Sequence, residues 1–434
     1  MTEQIRNWAG NIDLRPARAH RPATLSELQR IVAEANRVRV LGSGHSFNRI
    51  ADTRDDLVLL DALPGDVEID AEARTATVPA GIRLAELASR LHAAGFALAN
   101  LPSLPHISLA GACATGTHGS GDANPGLAAP VRALRIVGPA GDVVELSRDS
   151  SPDFPGSVVA LGALGVVTHL TVDIVPTFTI AQHVYEGVPL PELMADFDTA
   201  FSAGYSVSAF TDWVGTASLW VKRQIPAGAQ HLVGGQGGQH PPAAPEPDWL
   251  GGRLMDRPAH PIPGMPTENC TEQLGVPGPW HERLPHFRPE FTPSSGAELQ
   301  SEFFLPRTRA AEALAVVHKL GPVIAPVLQI SEVRTVAADD LWLSPSSGRA
   351  TVTLHFTWSP DLTAVTPALS ALEQELLPLG ARPHWGKVFL SGPAAARAAY
   401  EKADDFQQLL DRQDPEGKFR NDFVRDLFPV GGAL

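Results

Sequence analysis

Cysteine is scarce in this 434-residue chain, which contains only Cys113 and Cys270. Their separation matches no metal-binding or redox spacing, so the sequence predicts two buried thiols, a reducing compartment and no bound metal. Long apolar runs are also missing, since no stretch approaches the roughly 20 residues that a membrane span needs. Residues 1–10 lack the apolar region of a secretory signal. Together these absences predict a cytoplasmic protein with no membrane partner.

Positive charge is also in deficit. The chain has 34 Lys and Arg residues against 48 Asp and Glu residues, a formal net charge of −14. Nucleic acids and anionic membranes need a basic footprint, so neither is an expected partner. A hydrophobic content of 44% and a charged content of 19% are typical of a globular protein. The length favours two domains, and we expect a monomer.

The common nucleotide-binding motifs are absent as well. No Gly-x-Gly-x-x-Gly run opens a βαβ unit, and no Gly-Lys-Ser/Thr triplet marks a P-loop. Three other glycine-rich segments occupy the first 170 residues, at 42–46, 108–121 and 161–166. Backbone cradles spread in this way suit a long ligand that lies extended through a domain.

The first of these segments follows a predicted strand, Val38–Leu41, and reads Gly42-Ser43-Gly44-His45-Ser46. Glycine permits positive φ and close approach of a ligand, and the backbone N–H groups of such a turn suit a diphosphate. His45 adds a nucleophilic nitrogen beside them. Taken alone, the motif also fits an ordinary turn with an uninvolved histidine.

Periodicity predicts an α+β fold with two domains and a helical tail. Helical spacing indicates helices over 24–35, 84–94, 310–319 and 368–377, and alternation predicts an antiparallel sheet after residue 177. The predicted units are residues 1–176, 177–390 and 391–434, the last packing back on the first. Residues 225–300 are rich in Pro and Gly, and their scattered aromatic residues predict an ordered, packed excursion.

The chain resembles the vanillyl-alcohol oxidase superfamily, and within it the alditol and aldonolactone oxidase branch. The resemblance covers essentially the whole chain and rests on motifs in order, at 42–47, 103–108, 114–121, 332–334, 354–358 and 382–387. The segments at 269–271 and 277–285 resemble bacterial alditol oxidases in particular. It implies an FAD-binding domain of the PCMH type joined to an antiparallel-sheet substrate domain.

By this resemblance, His45 binds covalently to the flavin of an FAD cofactor. The other implied cofactor contacts are small residues and histidines: Val40, Leu41, Gly42, Ser43, Gly44, Ser46, Ser103, Ser108, Gly111, Ala114, Thr115, Gly116, Thr117, His118, Val166 and His384. His118 could equally be a structural histidine. Pro102 occupies the position of the family's oxygen-access gate and is compatible with an oxidase.

The resemblance also implies an active site made of Ser103, Glu332, Arg334, His355 and Lys387. Glu332 and Arg334 are two apart in a predicted strand and therefore share a face, although a surface ion pair would fit the same pattern. His355 is a candidate general base or a core histidine, and Lys387 either stabilises a reduced flavin or is solvated. The base stays unassigned among His355, Glu332, Lys387 and solvent.

The implied activity is FAD-dependent oxidation of the terminal primary alcohol of a linear polyol, such as xylitol or sorbitol. The product is the aldose, and O2 is reduced to H2O2. An aldonolactone oxidase or dehydrogenase of the same branch is the first alternative. A non-catalytic flavin- or sugar-binding protein is the second, and the four charged or titratable residues at 332, 334, 355 and 387 argue against it.

Overall fold

The N-terminal part of the protein carries two small sheets that enclose glycine-rich loops. The computed structural model describes residues 5–226, 245–290 and 297–431. One sheet is parallel, in the order Arg18–His20, Asp56–Leu59 and Val38–Leu41. The other is antiparallel, in the order Val143–Ser147, Val131–Val137, Val166–Asp173, Thr75–Pro79 and Glu68–Asp70. Two-stranded pairs join Ile5–Arg6 to Asp13–Leu14 and Phe96–Ala97 to Val175–Pro176.

Helices flank these sheets where the sequence predicts them. The first spans Leu25–Glu34, and its cap Thr24 accepts a hydrogen bond from the Glu27 amide at 3.1 Å. The others in this part are Leu84–Ala93, Leu109–Ala114 and Phe154–Ser157. The buried faces of the first two helices join one apolar core with the five-stranded sheet. Local periodicity therefore identified both main helices to within a residue or two.

The second part is built on a large antiparallel sheet. Its path runs Asp248–Trp249, Gly252–Leu254, Thr179–Pro189, Thr216–Ile225, Ser206–Thr211, Leu328–Val336, Thr351–Trp358, Leu299–Pro306 and Arg382–Pro383, and Gly278–Pro279 pairs with the third of these. Helices Leu190–Ala195, Phe197–Ser202, Ala310–Ile324 and Leu362–Leu376 cover one face. The last two helices are longer than predicted. The helix Ala310–Ile324 continues past the predicted end through Pro322. The helix Leu362–Leu376 begins before the predicted start, because Asp361 caps it.

The C-terminal segment forms short helices rather than one long helix. They span Pro393–Ala398, Ala403–Gln413 and Asp422–Leu427. The Lys418 ammonium donates to the Val32 carbonyl at 2.9 Å and to the Pro139 carbonyl at 2.7 Å. The Asn421 amide donates to the carbonyls of Arg49, Ile50 and Asp52. These contacts hold residues 418–421 against the N-terminal part.

Parts of the Pro/Gly-rich excursion are packed into the protein, while others are exposed. Trp280 begins a 3-10 turn, Trp280–Glu282, and its side chain is fully buried. Cys270 is almost fully buried. Cys113 and Cys270 are both free thiols. Residues 227–244 and 291–296, including Phe291, lie outside the described residues. Among the helices of the described ranges, none is long and apolar enough to cross a membrane.

Candidate active site

Strand pairing places three charged or titratable side chains in one row. His355 lies opposite Glu332 on one neighbouring strand and opposite Glu302 on the other. Residues adjacent in register point to the same face of a sheet. The intervening residues Leu354, Val333 and Phe303 point to the opposite face and pack in the helix-covered core. Alternation therefore separates a polar face of the sheet from an apolar face that packs in the core.

Glu302 is the centre of this polar face. Its carboxylate accepts hydrogen bonds from the Arg334 guanidinium at 2.6 Å and from the Lys387 ammonium at 2.7 Å, and His118 Nε2 lies 3.1 Å away. The side chain is 1% exposed. Burial alone would raise the pKa of Glu302, but Lys387 and Arg334 hold it well below its ordinary value. The carboxylate is therefore ionised and holds both cations in place.

Glu332 is bound by a second group of side chains. His286 Nε2 lies 2.9 Å from Glu332 Oε1, and Arg334 Nε lies 3.6 Å from Oε2. On the other side of the His286 ring, Nδ1 lies 3.3 Å from the Lys222 ammonium. Burial opposes ionisation of Glu332, yet Arg334 and His286 bring its pKa below the ordinary value. Burial and the nearby Lys222 lower the pKa of His286 to about 4, so the ring is neutral.

His355 differs from its neighbours in having an unpaired ring nitrogen. Its Nε2 is buried and has no hydrogen-bond partner among the described residues. Burial, and then the charge of Lys387, lower the pKa of His355 well below its ordinary value. The imidazole is therefore neutral at physiological pH, and the residue lines the cavity.

Hydrogen bonds join residues 47–48 to residues 385–387 at this site. The Phe47 amide donates to the Gly386 carbonyl at 2.7 Å, and the Asn48 side-chain amide donates to the carbonyls of Trp385 and Lys387, each at 2.8 Å. His45 and Lys387 are therefore held on adjacent loops. The His45 ring lies against Trp8, with ring centroids 4.3 Å apart. Burial, and then Lys387, lower the pKa of His45 to about 4.

A cavity of about 570 Å³ joins the glycine-rich loops to the polar face of the sheet. At Gly42 and Gly111 an added Cβ would lie 2.5 and 2.9 Å from Ser108 Oγ, so side chains there would narrow the cradle. Ser108 Oγ is itself buried and without a hydrogen-bond partner among the described residues. Backbone N–H groups of a glycine-rich turn suit an anion such as a diphosphate, and the free Ser108 hydroxyl can donate to it. These residues therefore fit the predicted FAD.

Most of the predicted site residues line this cavity. They are Val40, Leu41, Gly42, Ser43, Gly44, His45, Ser46, Ser103, Ser108, Gly111, Ala114, Thr115, Thr117, His118, Glu332, Arg334, His355, His384 and Lys387. Pro102 lines it as well. Gly116 and Val166 do not, and their places are taken by the neighbours Thr115, Thr117, Gly165 and Val167. Gly116 has φ +74° and lies behind the residues that line the cavity, close to Pro345.

Sequence reasoning missed Glu302, His286, Lys222 and Trp8. Glu302 carried a usable signal, because it directly precedes the apolar run 303–305 in the strand Leu299–Pro306 and a charged residue there is buried only when paired. Lys222 follows the apolar run 219–221 but precedes Arg223 and Gln224, so its strand gave a weaker signal. His286 lies outside regular structure in the Pro/Gly-rich excursion, where no periodicity indicates the direction of a side chain.

Two family models match separate parts of the chain. Residues 16–147 match the FAD binding domain, and residues 298–427 match D-arabinono-1,4-lactone oxidase. The first range contains His45 and Ser108, and the second contains Glu302, Glu332, His355 and Lys387. One family model therefore covers glycine-rich loops of the cavity, and the other covers the polar side chains of the large sheet.

Full-length relatives are also found. The chain is 51% identical over 432 residues to an alditol oxidase from a Streptomyces species, covering 98% of this chain and 99% of the relative. It is 28% identical to an L-gulono-1,4-lactone dehydrogenase of Mycobacterium tuberculosis, covering 96% and 97% of the two chains.

Solved structures resemble the fold at low sequence identity. The crystal structure of cholesterol oxidase from B. sterolicum matches with a TM-score of 0.76 and 15% identity, over 98% of this chain and 97% of that one. This likeness and the FAD-domain match confirm the α+β, two-domain FAD-binding fold predicted from the sequence. The boundaries of the domains stay a prediction. The chain belongs to the alditol oxidase family of FAD-linked oxidoreductases, as its motifs predict.

Proposed function

We propose that this protein oxidises the terminal primary alcohol of a linear polyol such as xylitol or sorbitol to the aldose, with O2 reduced to H2O2. The observation that carries the proposal is the row Glu302, His355 and Glu332, which faces the same cavity as the glycine cradle of Gly42–Ser46. The 51% identity to an alditol oxidase supports the substrate class.

The reaction removes a proton from the hydroxyl and a hydride from the carbon that bears it. Bound FAD supplies the hydride acceptor and passes the two electrons to O2. The protein must hold the alcohol carbon at the cofactor, accept the hydroxyl proton and stabilise the charge that develops.

We assign the role of proton acceptor to His355. Its ring is neutral and lines the cavity, and Nε2 has no hydrogen-bond partner among the described residues. Glu332 and Lys387 are held in a hydrogen bond and an ion pair, so they are less free to take a proton. A positioned base contributes roughly 10²- to 10⁴-fold to the rate of proton transfer.

Glu332 and Arg334 are suited to bind neighbouring hydroxyl groups of the polyol. The ionised carboxylate only accepts hydrogen bonds and the guanidinium only donates them. Arg334 is fixed by Glu302, and its Nε has no hydrogen-bond partner among the described residues. Ser103 lines the same cavity and adds a hydroxyl that can donate or accept.

The buried charges around the site favour an added negative charge. Two cations, Arg334 and Lys387, offset two carboxylates, Glu302 and Glu332. Lys222 lies beside them, and burial lowers its pKa to about 7. When Lys222 is protonated, one positive charge is left over in this buried region. Preorganised charge of this kind stabilises negative charge that develops during a reaction, and Lys387 is the member adjacent to the loop that carries His45.

The proposal includes a covalent bond between His45 and the flavin. A neutral imidazole is the nucleophilic form, and the low pKa of His45, about 4, keeps the ring neutral at physiological pH. Packing against Trp8 restricts the ring. We also expect the monomeric state and the cytoplasmic location that the sequence predicts.

The direct test is peroxide production with xylitol, sorbitol and L-gulono-1,4-lactone by purified protein. The proposal expects peroxide with the polyols and none with the lactone. The reverse pattern would favour the lactone oxidase alternative, which the match of residues 298–427 to D-arabinono-1,4-lactone oxidase supports. Anaerobic mixing with xylitol tests the non-catalytic alternative, since a flavin that stays oxidised contradicts any polyol oxidase.

A further inference from the structure

The side chain of Lys222 is buried behind the active site and is not part of the predicted machinery. It is 1% exposed and lies on the strand Thr216–Ile225, two strands from Glu332. The register Lys222↔Ser206 and Phe210↔Glu332 puts both charged residues on the same face of the sheet. A buried lysine is costly unless each of its donors finds an acceptor, so its partners indicate why it is there.

The three donors of Lys222 each have a partner. The ammonium donates to the carbonyls of Leu284 and Pro285, the second at 3.3 Å, and lies 3.3 Å from Nδ1 of His286. An ammonium has three donors and no acceptor. Burial lowers the pKa of Lys222 to about 7, so the amine is an ammonium below that pH. The nitrogen of His286 that faces this ammonium must accept, and the proton of the neutral ring must be on Nε2.

That proton is directed at the substrate-binding carboxylate. Nε2 of His286 lies 2.9 Å from Glu332 Oε1. The rings of Phe210 and Trp220 lie edge-on to His286, with centroids 5.2 and 5.3 Å away, and restrict its rotation. His286 itself lines the cavity.

We infer that Lys222 is a positioning residue that fixes the tautomer of His286, so that His286 donates to Glu332 and holds this carboxylate in the orientation that accepts a hydroxyl of the substrate. This inference rests on the proposed function for the identity of the substrate. The hydrogen-bond relay from Lys222 through His286 to Glu332 does not depend on the identity of the substrate. Without the ammonium, Nδ1 could carry the proton and a bare Nε2 would face the carboxylate.

Two substitutions of His286 separate the two ends of the relay. His286→Gln can place an amide donor where Nε2 lies, and it needs no tautomer. His286→Asn can place an acceptor near Lys222 but cannot reach Glu332. We expect His286→Asn to raise KM for xylitol roughly tenfold, because a hydrogen bond to a charged group is lost, and His286→Gln to raise it by less than about threefold.

Lys222→Met then tests the lysine, because it keeps most of the side-chain length and removes the donors. We expect it to raise KM roughly tenfold in the wild-type background, with a smaller change in kcat. In the His286→Gln background the same change should have little further effect on KM. Equal losses in both backgrounds would mean that Lys222 only supports the fold, and would overturn the inference.

The tautomer can be measured without substrate. In protein with ¹⁵N-labelled histidine, at about pH 6, the His286 signals should show a protonated Nε2 and an unprotonated Nδ1, and His286→Gln identifies them by their loss. Lys222→Met should alter this pattern. A wild-type ring protonated on Nδ1 would overturn the inference even if Lys222→Met does not fold. If xylitol is not oxidised while the Nε2–H tautomer is observed, the proposed function fails and the relay stands.

Discussion

The carboxylate of Glu302 and the ammonium of Lys387 form an ion pair of 2.7 Å between residues 85 positions apart in the chain. The lysine belongs to the loop that is bonded to Asn48, and the glutamate belongs to the strand beside His355. This pair therefore joins the loop next to the predicted flavin tether to the polar face of the sheet.

Removal of the Glu302 charge should destabilise the protein and reduce its activity. Glu302→Gln leaves Arg334 and Lys387 buried without their main anion, so we expect a loss of about 3–5 kcal/mol in the free energy of unfolding. Denaturant titration measures this change. Glu312→Gln breaks the exposed ion pair with Arg309 and should change the free energy by less than about 1 kcal/mol. Similar effects of both substitutions would contradict the central role of Glu302.

Replacement of His355 should slow the chemical step more than it weakens binding. We expect His355→Gln to lower kcat by roughly 10²- to 10⁴-fold, with a much smaller change in KM. The control is His318→Gln, on the helix Ala310–Ile324 that covers the opposite face of the sheet. An unchanged kcat in the His355 variant would assign proton transfer to another group.

The pH dependence of the wild-type enzyme follows from the same residue. A base works in its unprotonated form, so activity falls only when the pH drops through its pKa. Since burial and Lys387 lower the pKa of His355 well below its ordinary value, protonation of His355 should not change kcat/KM for xylitol near pH 6.5. An inflection near pH 6.5 that disappears in His355→Gln would contradict this assignment.

The proposed tether can be tested by acid precipitation. Flavin absorbance should stay with the wild-type pellet and should move to the supernatant in His45→Ala, because the covalent bond is lost while the glycine cradle remains. His92→Ala, on the helix Leu84–Ala93, should behave like wild type. Wild-type flavin in the supernatant would show that the cofactor is bound without a covalent link.

Asp339 should make stability depend on pH in the direction opposite to most carboxylates. Burial raises the pKa of Asp339 to about 6, against hydrogen bonds from Ser344 and Leu341. The folded state therefore binds more protons than the unfolded state between about pH 4 and pH 6, and stability falls as the pH rises through this range, by up to about 3 kcal/mol. In Asp339→Asn the free energy of unfolding, from denaturant titrations between pH 4 and 7, should lose this component. An identical slope in both proteins would refute it.

Short-range patterns in the sequence were enough for the main elements and for the cofactor segments. The cap at Thr24 and the apolar spacing after it depend only on nearby residues, and the helix lies where they predict. The glycine motifs at residues 42–46 and 108–121 were recognisable because a ligand that approaches the backbone excludes side chains there. Glu332, Arg334, His355 and Lys387 came from motifs, and the fold brings all four to one cavity.

Three-dimensional pairing decided the rest of the site. Glu302 meets Arg334 and Lys387 only because strands distant in sequence pair in one register, and no local period encodes that register. Lys222 is linked to Glu332 only through His286, which an irregular segment folded over the sheet places between them. Local sequence determines which face a strand side chain can occupy. Which charges meet across that face depends on long-range packing. A buried charge without a partner is strongly destabilising, so the packing must bring opposite charges together.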